Sequence, residues 1–346
     1  MKHAKPSRKK KTSTKDRILI TIFSIIIVLS LLSVAGVFVM NTSFLASTGE
    51  TGESKTEINS GVLTPSDIKG KSATFLVCGI DYAEGTGRGK LTDVVMLVNF
   101  DIAGHNIDIL QIPRDTYIGD DYPTGKINAI YGQKKNGGIN GVINRVNRMF
   151  QIPIDHYVTI NMDGFINAID AIGGVEVDVP KAIDLEGVHI DKGLQTLDGK
   201  HAEILVRERH SYANQDLGRI ATQQIFLEAL FRKATTLSAG QVASLAPTLL
   251  SQVTTDLTIS DVLGYYKNFT GVALSDIQFH LLPVISGRSM NGLSVLSVKR
   301  YPTADLLNES FRPYMDPVPA EKLQVIELVK DYGYTSSKTQ SSNELN

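Results

Sequence analysis

The 346-residue chain carries 35 Lys and Arg against 36 Asp and Glu, with one cysteine and no tryptophan. One cysteine excludes an intrachain disulfide, and histidines without helical i, i+4 pairing or Cys/His spacing argue against a zinc site. The first 17 residues hold eight cations and one carboxylate, so the remainder sums to −8, which excludes the broad basic footprint of a duplex-DNA binder there.

Residues 1–17 form a basic tail, and Ile18–Met40 is an uncharged apolar run long enough at helical rise to cross a hydrocarbon core of roughly 30 Å. That run is longer than the apolar region of a cleavable signal peptide, and the positive-inside rule places the basic tail in the cytoplasm. The expected arrangement is a single-pass membrane protein with everything after Met40 outside the cell. Residues 41–70, rich in Thr, Ser, Gly and Glu, read as a flexible tether, and 335–346 as a disordered tail. Residues 71–334 are then one domain, without an internal repeat or linker.

Within that domain "ATFLVCGI", "DVVMLVNF" and "NIDILQIP" are short, rich in β-branched residues and bounded by Gly, Asp or Pro, as expected of buried strands near a sheet's centre. Cys78, inside the first, reads as a small buried apolar residue. "GINGVINRVNRMF" puts Ile139, Val142, Ile143, Val146, Met149 and Phe150 on one helical stripe, and "DGFINAIDAIGG" ends in a Gly pair suited to a helix C-cap. These stripes read as core; lining an apolar groove, joined by Phe165, Ile166 and Ile169, is the alternative. "ILVRERH" reads as a strand, and "RIATQQIFLEALFRKA" as the next helix. Further helices are predicted around "GQVASLAPTLLSQV" and "SDVLGYYKNF", a strand in "IQFHLLPV", and a final helix from Pro319. The predicted fold is α/β: one three-layer domain with a central mixed β-sheet flanked by helices, preceded by one transmembrane helix.

Four residues carry the strongest chemical signal. On a strand Arg207 and Arg209 would share a face, and on a helix Arg219 and Gln223 lie one turn apart. Planar guanidinium groups match phosphate oxygens two bonds at a time, so the group suggests a diphosphate site; salt bridges to Glu203, Glu208 and Asp216 are the structural alternative. Asp81 and Asp93 fall at strand boundaries on one rim, where two carboxylates suit Mg²⁺ bound to phosphate, or serve only as turn and cap residues. Arg114, in "IPRDTY", adds a guanidinium to that rim unless it pairs with Asp115 or Asp120. Lys126, Asn128 and Tyr131 in "KINAIY" offer further polar contacts.

The ordered series "LVCGID", "TDVVMLV", "IPRDTY", "KINAIY", "LDGKHAEILVRERH" and "DLGRIATQQ", from Ala73 to about Lys233, resembles the LytR-CpsA-Psr family of Gram-positive cell-envelope proteins. The resemblance implies a phosphotransferase that moves an anionic glycopolymer, of teichoic acid or capsular type, from a polyprenyl diphosphate carrier to peptidoglycan. It implies diphosphate binding by Arg114, Arg207, Arg209, Arg219 and Gln223, and Mg²⁺, with Mn²⁺ as its substitute, on Asp81 and Asp93. Arg114, Asp93 and Arg219 are the expected catalytic residues. Family members usually carry an arginine where this chain has Leu91, with Arg88 and Lys90 nearby; Arg88 is counted among the diphosphate ligands. Asp81 or Asp93 acting as general base is a second assignment. A lipid-diphosphate-binding module without turnover and a membrane-linked transcriptional regulator are the competing functions. The expected partners are the carrier-linked polymer, peptidoglycan and the cytoplasmic membrane, with no nucleic acid.

Overall fold

A computed structural model describes residues 61–81, 90–135, 137–208, 215–269 and 272–328. The expected anchor at 18–40, most of the tether, the tail at 335–346, Arg88 and Arg209 lie outside the described residues. Among the described residues no helix is long and apolar enough to cross a membrane.

The core is a six-stranded mixed sheet. β1 (Ser72–Asp81) and β2 (Leu91–Asp101) are its central antiparallel pair, with β3 (Asn106–Ile112) antiparallel to β2 and β4 (His156–Asn161) parallel to β1. β9 (Val253–Thr255) and β10 (Ile277–Leu281) close the two edges, in the order β10-β3-β2-β1-β4-β9. The apolar runs read as central strands are β1 to β3, and their period of two divides them between two cores. Phe75, Val77, Met96 and Val98 face one cluster; Leu76, Cys78, Val95 and Leu97 face the other. Cys78 is fully buried, and loss of solvation pushes its thiol pKa up, so it stays a neutral apolar side chain.

Helices cover both faces, as expected. α1 (Gly138–Phe150) lays Val142, Ile143, Val146 and Phe150 on the second cluster, together with α7 (Arg300–Ser310). α2 (Met162–Ala171), α3 (Gly199–Arg207), α4 (Gln215–Thr236), α5 (Ala239–Leu250) and α6 (Ile259–Phe269) pack over the first, with Phe165, Leu205, Phe226, Leu249 and Phe269 among its members. The groove imagined between the α1 stripe and Phe165, Ile166 and Ile169 does not form, because the two sets lie on opposite faces of the sheet. Two-stranded antiparallel pairs of β5 (Val175–Val179) with β8 (Gly193–Leu197), β6 (Ile183–Leu185) with β7 (Val188–Ile190), and β11 (Val284–Arg288) with β12 (Ser294–Val298) lie outside the main sheet.

Two expectations are corrected. "ILVR" is helical in α3, not extended: Asp198 caps the helix by accepting from the His201 amide at 2.9 Å, and Glu203 meets Arg207 across one turn. Cap and i, i+4 pair outweigh the strand preference of the β-branched Ile204 and Val206. The helix expected from Pro319 is a single 3₁₀ turn at Ala320–Lys322, after which Leu323 and Val325 run extended into the second core. The described helix of this region is α7, earlier in the chain.

Candidate active site

The C-terminal end of β1, the start of β2 and the end of β3 meet at one rim of the sheet, so the topology gathers Asp81, Asp93 and Arg114 there. The register explains how Asp93 is aimed. Gly79 pairs with Val94 and Ile80 with Thr92, which leaves Asp93 as the extra residue of a β-bulge. Its Oδ1 accepts from Arg114 Nη1 at 2.9 Å. Both side chains are about one-third exposed, 33% for Arg114 and 34% for Asp93, so a ligand arriving from solvent can reach them. Asp81, paired with Leu91 at the end of β1, is exposed at the same rim. Neither loop carboxylate proposed as a structural partner takes Arg114; Asp115 instead binds Lys126 Nζ at 2.9 Å.

Arg114 sits on a braced segment. Its carbonyl accepts from Asn128 N at 3.2 Å, the Thr116 carbonyl accepts from Ile127 N at 2.9 Å, and the buried Thr116 hydroxyl donates to the Pro113 carbonyl at 2.6 Å. "KINAIY" is thus a strap whose backbone fixes the arginine-bearing loop, a role beyond the polar side-chain contacts expected of it. The strap continues to Gly132, where an added Cβ would stand 2.6 Å from the Lys90 carbonyl. Only glycine permits that approach, which sets Lys90 and Leu91 against the strap at the start of β2.

The second expected group is divided. Arg207 ends α3, where its guanidinium is bonded to Glu203 and, at 2.8 and 3.2 Å, to both oxygens of Glu186. Partial desolvation lowers its pKa, and the bonds to the two carboxylates more than offset this, leaving the net shift upward. The salt-bridge alternative therefore describes Arg207 in this conformation, with Glu203 as one of the carboxylates named for it. Glu186 could not have been paired with it from sequence, since the β6–β7 turn reaches α3 only in the folded chain. Arg219 and Gln223 fall one turn apart in the first half of α4, as their spacing predicts.

Among the described residues no group of three or more His, Cys, Asp or Glu gathers as a metal site. Two carboxylates at one rim remain a fitting donor set for Mg²⁺, which commonly takes one or two protein carboxylates and fills its shell with phosphate oxygens and water. Sequence reasoning also missed a cavity of about 390 Å³ between β8 and the start of α3, lined by Asp170, Asp191, Gln195, Asp198, His189 and His201. His189 meets Asp184 at 2.6 Å and His201 meets Asp198 at 2.7 Å, pairs five and three residues apart, so the signal lay in local spacing.

The LytR_cpsA_psr family model matches residues 37–311. The cell wall biosynthesis protein LcpA of Corynebacterium glutamicum is 31% identical over 247 residues, covering 62% of this chain and 47% of LcpA. The polyisoprenyl-teichoic acid–peptidoglycan teichoic acid transferase TagV of Bacillus subtilis is 32% identical over 220 residues, covering 59% of this chain and 55% of TagV. The chain thus spans about half the length of these curated relatives. The crystal structure of B. subtilis TagV superposes with a TM-score of 0.61 at 27% identity, covering 72% of this chain and 99% of that one.

Proposed function

This chain belongs to the LytR_cpsA_psr family, and we propose that it is a membrane-anchored phosphotransferase that moves an anionic glycopolymer from a polyprenyl diphosphate carrier to peptidoglycan, leaving a phosphodiester link. The observation that carries the reading is the solvent-accessible Asp93–Arg114 pair on a bulged sheet rim. The similarity to TagV supports the substrate class, since TagV is named for transferring teichoic acid from a polyisoprenyl carrier to peptidoglycan.

The chemistry suits these residues. Phosphoryl transfer asks a protein for positioning and for charge neutralisation on phosphate oxygens. Arg114, braced by its strap, offers a permanently charged donor at the rim. Arg219 and Gln223, spaced to share a helix face, and Arg207 and Arg209 are the further diphosphate donors in this reading. Arg207 would exchange Glu186 for phosphate, a substitution open to an exposed ion pair. Asp81 and Asp93 would hold Mg²⁺, which when bound supplies neutralisation of the departing phosphate. In the second assignment Asp81 or Asp93 would instead take the proton of an attacking sugar hydroxyl. The apolar segment 18–40 would keep the domain at the outer face of the membrane, where a polyprenyl carrier presents its head group.

The test is transfer by the full chain in vesicles, from a short-chain polyprenyl diphosphate-linked anionic glycan to peptidoglycan oligomers, with and without Mg²⁺. Phosphodiester-linked product that requires Mg²⁺ is expected. Tight binding of the lipid diphosphate without product overturns the transferase reading in favour of a binding module.

A further inference from the structure

Residues 122–154 hold five cations, Lys126, Lys134, Lys135, Arg145 and Arg148, and no Asp or Glu, in a chain whose part beyond the basic tail sums to −8. Two of the five are committed within the fold. Lys126 is ion-paired with Asp115, and Arg145 donates to the Ile118 carbonyl and lies over the Tyr122 ring. Lys134, Lys135 and Arg148 are exposed, and their side chains have no hydrogen bond or ion pair among the described residues.

The backbone fixes where these three stand. Lys134 and Lys135 form the tip of a loop closed at its base, where Gly138 N donates to the Tyr131 carbonyl at 2.8 Å and Gln133 Nε2 to the Ala129 carbonyl at 2.9 Å. The loop continues the strap that braces Arg114, and Gly132 at its start lies against the Lys90 carbonyl at the rim. α1 then leads away from the rim. Its 13 residues span about 20 Å, and the chain after it reaches the sheet's other end, where Asp155 N donates to the Thr74 carbonyl near the start of β1. With Ile139, Ile143, Val146 and Phe150 buried, Gly141 and Arg148, seven residues apart, share the opposite face. The result is a track of positive charge that starts at the rim and runs along α1, with no carboxylate in its own segment. A single flexible polyanion fits this track, because its charges repeat along one line. A bilayer meeting the rim would reach only the loop end of an axis that leads away from it.

We propose that Lys134, Lys135 and Arg148 bind the phosphodiester repeats of the anionic polymer that follows the carrier-linked diphosphate. The inference rests on the transfer reading for its substrate and adds where the body of the polymer lies: the rim takes the diphosphate and the α1 face takes the repeats beyond it. Exposed cations hold such a chain through screened attraction and in any register, which suits a repeating ligand. The three are binding residues and touch no reacting atom.

The test uses the full chain in phosphatidylcholine vesicles, with a soluble oligo(glycerol phosphate) long enough to span the track as the probe. One variant combines Lys134→Gln, Lys135→Gln and Arg148→Gln. The control combines Lys192→Gln, Arg232→Gln and Lys322→Gln, three exposed cations elsewhere, so both lose the same net charge. Each phosphate contact contributes about −0.7 to the slope of log affinity against log salt for a flexible single strand. The track variant should therefore flatten that slope by about two and lose roughly tenfold or more in affinity at low salt, while the control keeps both. In transfer, the track variant should raise KM for a donor carrying polyanionic repeats at unchanged kcat, with no effect on a donor carrying a single neutral sugar. Equal losses in the two triple variants overturn the track, because net charge alone would then account for binding. Amine labelling in which phosphatidylglycerol in the vesicles, and not the oligomer, protects Lys134 and Lys135 assigns the face to lipid and also overturns it, as does wild type that binds no oligomer. Failure of the transfer reading is distinct: wild type that binds the oligomer through these three cations yet forms no product from either donor keeps the track and loses the transferase.

Discussion

Replacing Arg114 by alanine separates a catalytic role for the rim from a structural one, because the geometry predicts very different sizes for the two effects. Arg114 and Asp93 are each about one-third exposed, so solvent and salt screen their attraction, and the pair contributes about 0–1 kcal/mol to stability. For a domain of this size that shifts the thermal midpoint by at most about 2–4 °C. The backbone bonds that brace the loop, from Asn128 N and Ile127 N, survive truncation of the side chain. In the proposed reaction the same guanidinium would work at developing charge, where loss of one such donor costs roughly 10²- to 10³-fold in rate. Arg114→Ala should therefore lose about that much single-turnover transfer while its melt stays within a few degrees of wild type. Arg114→Lys should recover only part of the rate, since an ammonium cannot reproduce the planar fork. Asp93→Asn and the double variant complete a cycle, in which a coupling larger in transfer than in melting is expected. Transfer within about threefold of wild type in Arg114→Ala, against the donor-loss magnitude above, would refute the assignment, as would a melt lowered in proportion to the lost rate.

Three further outcomes follow from particular contacts. Gly132→Ala drives a Cβ to 2.6 Å from the Lys90 carbonyl, so transfer should fall at least about tenfold through displacement of the rim, with roughly 1–3 kcal/mol lost from stability, read by paired kinetics and denaturant melts. Arg312, 4% exposed, binds the Phe150 and Gln151 carbonyls at the C-terminus of α1 and the Asn308 side chain; burial lowers its pKa to about 10, yet it remains charged at neutral pH. Arg312→Ala takes their side-chain donor from the Phe150 and Gln151 carbonyls, while Asn308 Oδ1 keeps Val318 N, and should cost about 2–5 kcal/mol, measured by denaturant unfolding, with the transfer rate of the folded fraction unchanged. His189 has its pKa raised by hydrogen bonds to Asp184 and Asp191. A raised pKa means the folded state binds the proton more tightly, so this contribution is fully present below the unfolded histidine's pKa and is lost as pH rises through the folded one. Titration of its ring by NMR should show a midpoint above the usual histidine value that falls back in Asp184→Asn.

The central strands and the rim were legible because each is written in local sequence. A short β-branched run bounded by Gly, Asp or Pro has few ways to fold, and Asp81, Asp93 and Arg114 all sit at the ends of such runs. What failed were inferences needing a third dimension. The α1 stripe and Phe165 were both correctly apolar, but amphipathicity reports that a face is buried and not which side of the sheet buries it. "ILVR" carried a strand's composition, the Asp198 cap was not weighed, and Glu203 was paired with the arginines only as a salt bridge and not as a helical i, i+4 contact. The Arg114–Asp93 contact was hidden for a different cause. Counting along β2 at period two assigns Asp93 a fixed face, whereas the mismatch between Gly79–Val94 and Ile80–Thr92 makes it the bulged residue. A bulge belongs to a pair of strands and not to either sequence alone, so a carboxylate expected to hold metal or a proton and an arginine expected to hold phosphate prove to be neighbours. Asp93 takes Arg114 through Nη1, and a guanidinium carries five N–H donors, so in the proposed reading the same arginine can hold a phosphate without displacing the carboxylate. In that reading Asp93 stays beside the bound phosphate, where either a cation or a hydroxyl proton would be received.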